Sequence, residues 1–363
     1  MTERTADRPH YPSLDGLRGL AILLVLIYHN FEYTNYFFFG WLGVDLFFVL
    51  SGFLITDILL KDLGQKNFLG QFYIRRILRI FPLYYFSLTI CLFVLPNIKN
   101  LRLDVSFYIN NQVWLWTYIQ NWLFIFKTLH GSKILLHFWS LAVEEQFYII
   151  WPFIILLVRK PKWLLLIVTI ILLSIATGRI VLWGLHIKTL AYSNLYMFSR
   201  IDGICIGCML ALALRINQGL PRKYLPIIIL FFGSLNLLFY FINRNYSDSI
   251  PFLGAIGYTT FAALFGFLVY EAILGKIKII SIIFKNSILI FLGNISYGLY
   301  VYHWPIYLLL FPYLKDLYYN ITGISKLSTL ASAITVSLLA IAISFLSYRY
   351  FESYFLKLKK KFV

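Results

Sequence analysis

The chain has 363 residues, of which 60% are hydrophobic and 19% are aromatic, while only 13% are charged. With a mean hydropathy of +0.78, it carries more apolar surface than a soluble core of this size can bury, so the composition excludes a water-soluble domain and indicates an integral membrane protein. The formal net charge of +17 would suggest nucleic-acid binding in a soluble protein. In a polytopic membrane protein it indicates basic cytoplasmic loops instead, so no nucleic-acid partner is expected.

The first apolar segment, from Tyr11 to Asn30, carries an ionisable residue towards each end. A run of mostly Leu, Ile, Val and Ala separates Arg18 from His29. At about 100° and 1.5 Å per residue, both side chains project from one helix face, roughly 16 Å apart along the axis. Ionisable residues within a span usually face a protein interior or a water-filled cavity. The alternative is that Arg18 reaches a lipid headgroup and His29 is a satisfied interface residue, and this segment alone leaves both interpretations open.

Apolar segments of about 20 residues recur along the chain and predict an all-α polytopic membrane protein with about ten transmembrane helices. The predicted spans are 14–31, 41–60, 80–96, 137–158, 163–182, 200–215, 224–243, 251–271, 287–310 and 327–348. The stretch 107–126 holds three Trp residues among Asn and Gln and is predicted to be an interfacial helix. Most of the 32 Lys and Arg residues then fall on one side, so both termini are predicted to be cytoplasmic. Residues 1–363 are expected to form a single integral-membrane domain.

The three cysteines, Cys91, Cys205 and Cys208, all lie in apolar segments. The Cys205-x-x-Cys208 spacing occurs in metal and redox sites, but the surrounding sequence is that of a span. We interpret these thiols as small side chains packed between helices. Neither a disulfide framework nor a metal site is expected.

A basic cluster follows the second predicted span, in the sequence FYIRRILRIFP. Arg75 and Arg76 each lie one helical turn from Arg79, so the three guanidiniums are grouped on one side of a helix. Guanidiniums bind phosphates through charge-assisted, often bidentate hydrogen bonds. They also anchor cytoplasmic segments to anionic lipid, and by itself the cluster favours that lipid contact.

An acidic pair lies in the segment HFWSLAVEEQFYIIWP, residues 137–152. Glu144 shares a helix face with His137, and Glu144 and Glu145 enter a predicted span from the outer side, at roughly the depth expected for His29. Carboxylates at the mouth of a span are costly unless they are paired or hydrated. A carboxylate beside an imidazole orients the ring and increases its basicity. The segment therefore predicts a Glu144–His29 pair, with an outer-interface cap as the alternative.

Several further polar residues lie within predicted spans. We expect Arg200 to pair with Asp202, and His303, which precedes Trp304-Pro305, to be an interface residue rather than a catalyst. The remaining members of this set are Asp45, Asn294, Ser296 and Tyr297.

In combination, these motifs resemble those of the acyltransferase-3 family of integral-membrane acyltransferases. The matching stretches occur in the family's order over nearly the whole chain: SLDGLRGLAILLVLIYH, GWLGVDLFFVLSGFLIT, FYIRRILRIFPLYY, HFWSLAVEEQFYIIWP, RIDGICIGCMLA and LGNISYGLYVYHWPI. The resemblance implies transfer of an acyl group, commonly acetyl from acetyl-CoA, to a hydroxyl of a carbohydrate or another acceptor. Some members carry an SGNH-type hydrolase domain, and we expect this chain to be a stand-alone member without one.

The resemblance also implies roles for individual residues. It places the family's essential histidine on His29 and its acidic motif residue on Glu144, which would support the imidazolium. The family's basic residues, which would hold the CoA nucleotide, fall on Arg18, Arg75, Arg76 and Arg79. The expected supporting residues, including candidate donors to the thioester oxyanion, are Asn30, Asp45, Glu145, Ser296 and Tyr297.

The expected function is thus an O-acetyltransferase of the bacterial cytoplasmic membrane that modifies a cell-surface glycan or a lipid-linked saccharide. One alternative keeps the enzyme but changes the acceptor to a small hydroxylated molecule such as an antibiotic. An alternative of another class is a transporter whose buried ions line a path. The expected partners are acyl-CoA, a carbohydrate acceptor and membrane lipid, and a homodimer is left open.

Overall fold

The computed structural model describes residues 11–31, 38–98, 101, 103–185, 200–216, 222–243 and 257–358. All regular secondary structure in these ranges is helical, in agreement with the all-α prediction. In chain order the α-helices are α1 (Pro12–Phe31), α2 (Leu42–Asp62), α3 (Phe68–Thr89), α4 (Ser106–Asn110), α5 (Gln112–Trp116), α6 (Gln120–Phe126), α7 (Trp139–Val158), α8 (Pro161–Gly184), α9 (Asp202–Arg215), α10 (Leu225–Asn243), α11 (Tyr258–Leu274), α12 (Lys278–Phe284), α13 (Ser287–Asn294), α14 (Ser296–Thr322), α15 (Ser325–Leu346) and α16 (Ser353–Leu358). Short 3₁₀ and π-helical turns occupy Phe38–Trp41, Ile90–Val94, Leu95–Asn97, Leu136–Phe138, Arg222–Tyr224 and Ser347–Glu352.

Within the described residues, six helical segments are long and apolar enough to cross a membrane. They are Pro12–Phe31, Phe39–Asp62, Phe68–Asn97, Leu136–Val158, Pro161–Leu182 and Ser325–Leu358. Shorter apolar helical segments occur at Leu225–Leu238 and Tyr258–Leu274. The membrane-protein class is therefore confirmed, whereas the count of ten spans and the cytoplasmic position of both termini stay predictions. The terminal residues 1–10 and 359–363 lie outside the described ranges.

Two helices extend beyond the spans predicted for them. Helix α3 begins at Phe68, well before the predicted span 80–96, so the helix that carries the basic cluster is continuous with that span. The predicted span 287–310 is interrupted after Asn294, where α13 ends, and α14 continues to Thr322. Apolar periodicity detects the lipid-facing surface, and it misses helical turns that are polar because they extend beyond that surface.

The stretch 107–126 does not form a membrane-spanning helix. It folds into the three short helices α4, α5 and α6, the longest of which has 7 residues. Tyr118, between α5 and α6, has φ = 55°, a left-handed conformation that ends the preceding helix. The prediction that this stretch does not cross the membrane agrees with these lengths, because a span needs about 20 residues.

Helix α1 lies at the centre of the molecule and packs unusually closely against its neighbours. Gly19 faces the backbone carbonyl of Leu289, and Gly293 faces the backbone carbonyl of Asp15. A Cβ atom at either glycine would overlap those backbone atoms. Small residues allow helices in a membrane to approach at backbone distance, and this approach fixes α1 against α13.

We expect Gly19→Ala to lower the thermal stability of the purified protein by several degrees, because the added methyl group meets backbone that cannot rotate away. Overpacking of this kind costs roughly 1–3 kcal/mol. Thermal unfolding in detergent measures the effect. Gly233→Ala in α10 is the matched control, since a Cβ atom there meets nothing within 4 Å. Equal melting temperatures for the two variants would contradict the close packing of α1.

Candidate active site

The last turn of α1 and the first half of α14 bring two imidazole rings together. His29 Nδ1 lies 3.1 Å from His303 Nε2 and 3.1 Å from the backbone oxygen of Val25. The ring of Trp304 packs against the ring of His29 at a centroid distance of 4.6 Å. His303 is fully buried, whereas His29 is only half-buried. One face of the pair is therefore sealed inside the protein, and His29 lies on the side that remains accessible.

The hydrogen bonds of the two rings assign their tautomers. His303 Nδ1 faces the backbone oxygens of Leu299 and Tyr300, at 3.0 and 2.8 Å. Carbonyl oxygens only accept, so Nδ1 of His303 carries the proton and Nε2 of the neutral ring has a lone pair. His29 Nδ1 then faces two acceptors, the Val25 oxygen and His303 Nε2, and must carry a proton itself. Nε2 of neutral His29 is left unprotonated, and it makes no hydrogen bond within the described part of the chain.

A third histidine is held beside this pair by a proline. Pro305 has no N–H group, so the backbone oxygen of Val301, four residues earlier, lacks its helical donor. His137 fills this vacancy by donating from Nε2 to the Val301 oxygen at 3.3 Å. The ring of His137 meets the ring of His303 edge-on at 5.4 Å. The described residues nevertheless contain no group of three His, Cys, Asp or Glu side chains arranged to hold a metal ion.

Glu144 does not contact His29. Its Oε1 accepts a hydrogen bond from Ser51 at 2.7 Å, and Ser51 in turn accepts from Tyr148 at 3.1 Å. Glu144 is seven residues beyond His137, which places it about 10 Å further along α7. The expected pairing of Glu144 with His29 is therefore wrong, because the two residues lie at different depths, and the polar side-chain partner of His29 is His303.

The carboxylates of α7 lie near the basic cluster instead. Glu144 is within electrostatic range of Arg76 and Arg79, and Glu145 is within range of Arg76. Glu145 is buried, and its Oε1 has no hydrogen-bond partner. The guanidinium of Arg18 joins this group, within range of Arg79. Three helices, α1, α3 and α7, thus contribute charged side chains to what we call the arginine end of the site.

The four predicted CoA-binding arginines differ in their contacts. Arg75 donates from Nη2 to Asp62 Oδ2 at 3.1 Å, and both side chains are less than a tenth exposed. Arg18 donates to Asp15 Oδ1 at 2.6 Å but remains 22% exposed. Arg76 and Arg79 make neither an ion pair nor a hydrogen bond among the described residues, although Arg76 packs over the ring of Tyr148 at 5.6 Å. The guanidinium of Arg75 is therefore held in a buried ion pair. Arg18, Arg76 and Arg79 differ from it, because none of them forms a fully buried ion pair among the described residues.

The expected oxyanion donors are already engaged. Asn30 donates from Nδ2 to Ser337 at 2.6 Å, and Ser296 donates to the backbone oxygen of Gly293 at 2.8 Å. The hydroxyl of Tyr297 donates to the backbone oxygen of Ile80 at 2.7 Å. Among the described residues, none of these three side chains hydrogen-bonds to the His29 ring. Tyr297 belongs to the arginine end, within electrostatic range of Glu144 and Glu145.

The predicted pairing of Arg200 with Asp202 is wrong. Arg200 Nη2 lies 3.2 Å from Asp45 Oδ1, while Asp202 accepts two hydrogen bonds from Arg179, at 2.7 and 2.6 Å. Residues two positions apart on a helix point in different directions, so Arg200 and Asp202 cannot face one another. Asp45 is therefore held in a buried ion pair beside the ring of Tyr258, over which Arg200 lies at 3.9 Å, and not against His29.

A family model described as an acyltransferase domain matches residues 11–349. The chain belongs to the acyltransferase-3 family. No solved structure matches it significantly. The match covers both the imidazole pair and the arginine end, so both lie inside the family's domain.

Several relatives of this acyltransferase-3 chain are named as O-acetyltransferases. It is 35% identical over 335 residues to the peptidoglycan O-acetyltransferase OatA of Listeria monocytogenes serovar 1/2a, covering 85% of this chain and 51% of the relative. It is 31% identical to the putative peptidoglycan O-acetyltransferase YrhL of Bacillus subtilis strain 168, with 86% and 51% covered. A putative O-acetyltransferase of Staphylococcus aureus strain COL is 30% identical, with 96% and 58% covered. The chain thus spans little more than half the length of these relatives.

Two residues of the candidate site, His303 and Glu352, were not predicted from the sequence. His303 was expected at the interface but is buried against His29. The nearby Pro305 signals a polar cluster at this point rather than His303 itself, because it frees the Val301 carbonyl that His137 binds. Glu352, which the sequence analysis does not single out, lies within electrostatic range of Arg79. It sits in a π-helical turn, which sequence periodicity does not reveal.

We expect Arg75→Met to destabilise the protein strongly, since it leaves the buried carboxylate of Asp62 without its counter-ion. Breaking a buried pair costs about 3–5 kcal/mol. Lys61→Met is the matched control, because the Lys61–Asp57 pair is about a third exposed and such pairs contribute roughly 1 kcal/mol or less. Thermal unfolding compares the two variants. An Arg75→Met protein as stable as the control would return Arg75 to the candidate ligand-binding arginines.

Proposed function

We propose that this protein is a membrane-bound O-acetyltransferase that transfers an acetyl group from acetyl-CoA to a hydroxyl group of a cell-envelope carbohydrate. Its membership of the acyltransferase-3 family and its O-acetyltransferase relatives support the class of reaction. The observation that carries the proposal is the environment of His29, a half-buried imidazole whose Nδ1–H is held and whose Nε2 lone pair meets no hydrogen-bond donor among the described residues. That is the state a general base needs before it accepts a proton.

The arginine end is the proposed site for the donor. Arg76 and Arg79 are guanidiniums without an ion pair in the described structure, and Arg18 is close enough to add to their field. Clustered cations inside a protein repel one another and lose hydration, so an anion bound between them is strongly stabilised. The phosphates of CoA fit this requirement, because guanidiniums bind phosphate oxygens in pairs. Arg75 is excluded from this role because its guanidinium is bound to Asp62.

The spacing between the two ends suits the shape of the donor. Arg18 and His29 share the continuous helix α1, so they lie about 16 Å apart along its axis. An extended pantetheine arm can cover such a distance, with its nucleotide at the arginines and its thioester near His29. We place the arginine end at the cytoplasmic side, where acetyl-CoA is found and where the ten-span topology predicts the basic loops. Both termini are cytoplasmic in this orientation.

In the proposed reaction, His29 Nε2 removes the proton from the acceptor hydroxyl as its oxygen attacks the thioester carbonyl. The tetrahedral intermediate collapses, the carbon–sulfur bond breaks, and the thiolate of CoA leaves. The proton on His29 then passes to that thiolate, so the enzyme returns to its starting state with CoA and an O-acetyl ester as products. Base catalysis of this kind contributes roughly 10²–10⁴-fold to the rate.

The acceptor is proposed from the relatives' names. Two of them are named as peptidoglycan O-acetyltransferases, one of these putatively, so a hydroxyl of the peptidoglycan glycan strand, or of its lipid-linked precursor, is the first acceptor to test. His29 lies at the end of α1 away from the arginines, which is the outer side in the proposed orientation. The acceptor would then reach His29 from outside the cytoplasmic membrane.

We expect His29→Ala to reduce acetyl transfer at least about 100-fold, because the general base is lost. The assay uses the full chain in proteoliposomes, radiolabelled acetyl-CoA and soluble peptidoglycan fragments, and it measures labelled ester in the acceptor. His130→Ala is the matched control, since His130 is exposed and lies against Phe107, away from the imidazole pair. Near-normal transfer by the His29 variant would refute the assigned base, and no transfer by the wild-type protein to any hydroxylated acceptor would refute the function.

We expect Arg76→Ala and Arg79→Ala each to raise the KM for acetyl-CoA about 10–100-fold with a smaller change in kcat, since each removes a charge-assisted hydrogen bond to phosphate. Arg159→Ala is the control, as Arg159 is an exposed cation outside the cluster. Acetyl-dephospho-CoA locates the contact further: a variant that has lost its 3′-phosphate ligand should no longer distinguish this donor from acetyl-CoA. An unchanged KM in both variants would assign the cluster to lipid anchoring.

A further inference from the structure

We propose that His303 is a positioning residue for His29: its Nε2 lone pair accepts a hydrogen bond from the His29 Nδ1–H group and so keeps Nε2 of His29 free to act as a base. This inference rests on the proposed function of His29 and assigns its orienting partner. The sequence had suggested a carboxylate, Glu144, for that task, but Glu144 hydrogen-bonds to Ser51 at the arginine end.

The direction of the hydrogen bond follows from the backbone of α14. The Leu299 and Tyr300 oxygens, at 3.0 and 2.8 Å, require a proton on His303 Nδ1. The opposite assignment, in which His303 donates from Nε2 to His29, would need a doubly protonated, charged His303. That ring is fully buried, and an unpaired charge there would be heavily penalised. It would also leave the His29 Nδ1 lone pair facing the Val25 oxygen at 3.1 Å, a contact between two acceptors.

A neutral imidazole is a suitable acceptor at this depth in the membrane. A carboxylate would hold the His29 proton more strongly, but burying it would cost several kcal/mol in desolvation. The two carbonyl groups on Nδ1 polarise the His303 ring and make its Nε2 a better acceptor, because successive hydrogen bonds strengthen one another. When His29 accepts a proton from the acceptor hydroxyl, its Nδ1–H becomes more acidic and the bond to His303 tightens. His303 therefore stabilises the imidazolium without carrying charge itself.

The surroundings hold the His303 ring in one orientation. The hydroxyl of Tyr300 donates to the backbone oxygen of His137 at 2.9 Å, and His137 donates to the Val301 oxygen that Pro305 leaves free. The edge of His137 packs against His303, and the ring of Trp304 covers His29. These contacts tie α7 to α14 on both sides of His303, so the acceptor atom presented to His29 is fixed rather than one of several rotamers.

The experiment compares two substitutions of one residue, His303→Gln and His303→Leu, in the proteoliposome assay. The Gln side chain can place an amide oxygen near the former Nε2 atom, whereas Leu has a similar size and no acceptor. We expect His303→Leu to lower kcat about 10–100-fold with the KM for acetyl-CoA unchanged. We expect His303→Gln to recover most of that loss. An unchanged KM also reports that the Leu variant is folded.

Two kinetic outcomes would overturn the proposal while leaving the function of His29 intact. The first is a wild-type kcat for His303→Leu with His29→Ala still inactive. The second is an equal loss for the Leu and Gln variants, which would mean that the ring acts only through its shape. His130→Gln, a change of an exposed histidine, is the matched control and should leave kcat unchanged.

A spectroscopic measurement tests the proposal without any turnover. Protein labelled with ¹⁵N at its 6 histidines distinguishes protonated from unprotonated ring nitrogens, and His29→Gln identifies the His29 signals. We expect a protonated Nδ1 and an unprotonated Nε2 on His29 in the wild-type protein, with this preference weakened in His303→Leu. A proton on Nε2 of neutral wild-type His29 would refute the positioning role. If the wild-type protein failed to transfer acetyl groups but showed the expected tautomer, the proposed function would fall and the His29–His303 assignment would stand.

Discussion

The close approach of α1 to the helices around it is the constraint on which the rest of the structure depends. At Gly19 and Gly293, neighbouring backbone carbonyls occupy the space that a side chain would fill, so α1 is held in contact with α2, α13, α14 and α15. Because α1 carries both Arg18 and His29, fixing this helix fixes both ends of the candidate site. It also sets the register that brings His29 against His303 of α14.

The imidazole end and the arginine end differ in how their buried polar groups are compensated. At the imidazole end, neutral rings and backbone carbonyls satisfy one another, so no group has to be charged in the resting state. At the arginine end, Arg75 is neutralised by Asp62, while Arg76 and Arg79 are within electrostatic range of Glu144, Glu145 and Glu352 without forming an ion pair among the described residues. Such partly compensated cations are costly for the fold, and this cost is why we propose that they bind an anionic ligand. Stability and binding are thus separated between neighbouring arginines.

Local pattern predicted much of this arrangement. The helical class, the first span with Arg18 and His29 on one face, and the non-spanning character of 107–126 follow from composition, periodicity and residue length. Helical spacing also grouped Arg76 with Arg79 correctly. The position of each polar side chain along the membrane normal was harder to predict, because α3 and α14 extend beyond their apolar segments. Glu144 was expected beside His29, but it lies within electrostatic range of Arg76 and Arg79. Partner choice failed for Arg200, whose counter-ion Asp45 lies 155 positions away in the chain.

The sequence by itself determined that the chain is a helical membrane protein, because this depends on composition. It also determined the distance between Arg18 and His29, because this depends only on helix geometry. Only the tertiary structure decided which groups face them. His303 is 274 positions from His29, and no periodic pattern encodes a contact between helices so far apart in the chain. The tautomer of His29 is decided there too, since it depends on carbonyl groups that α14 presents once the helices have packed.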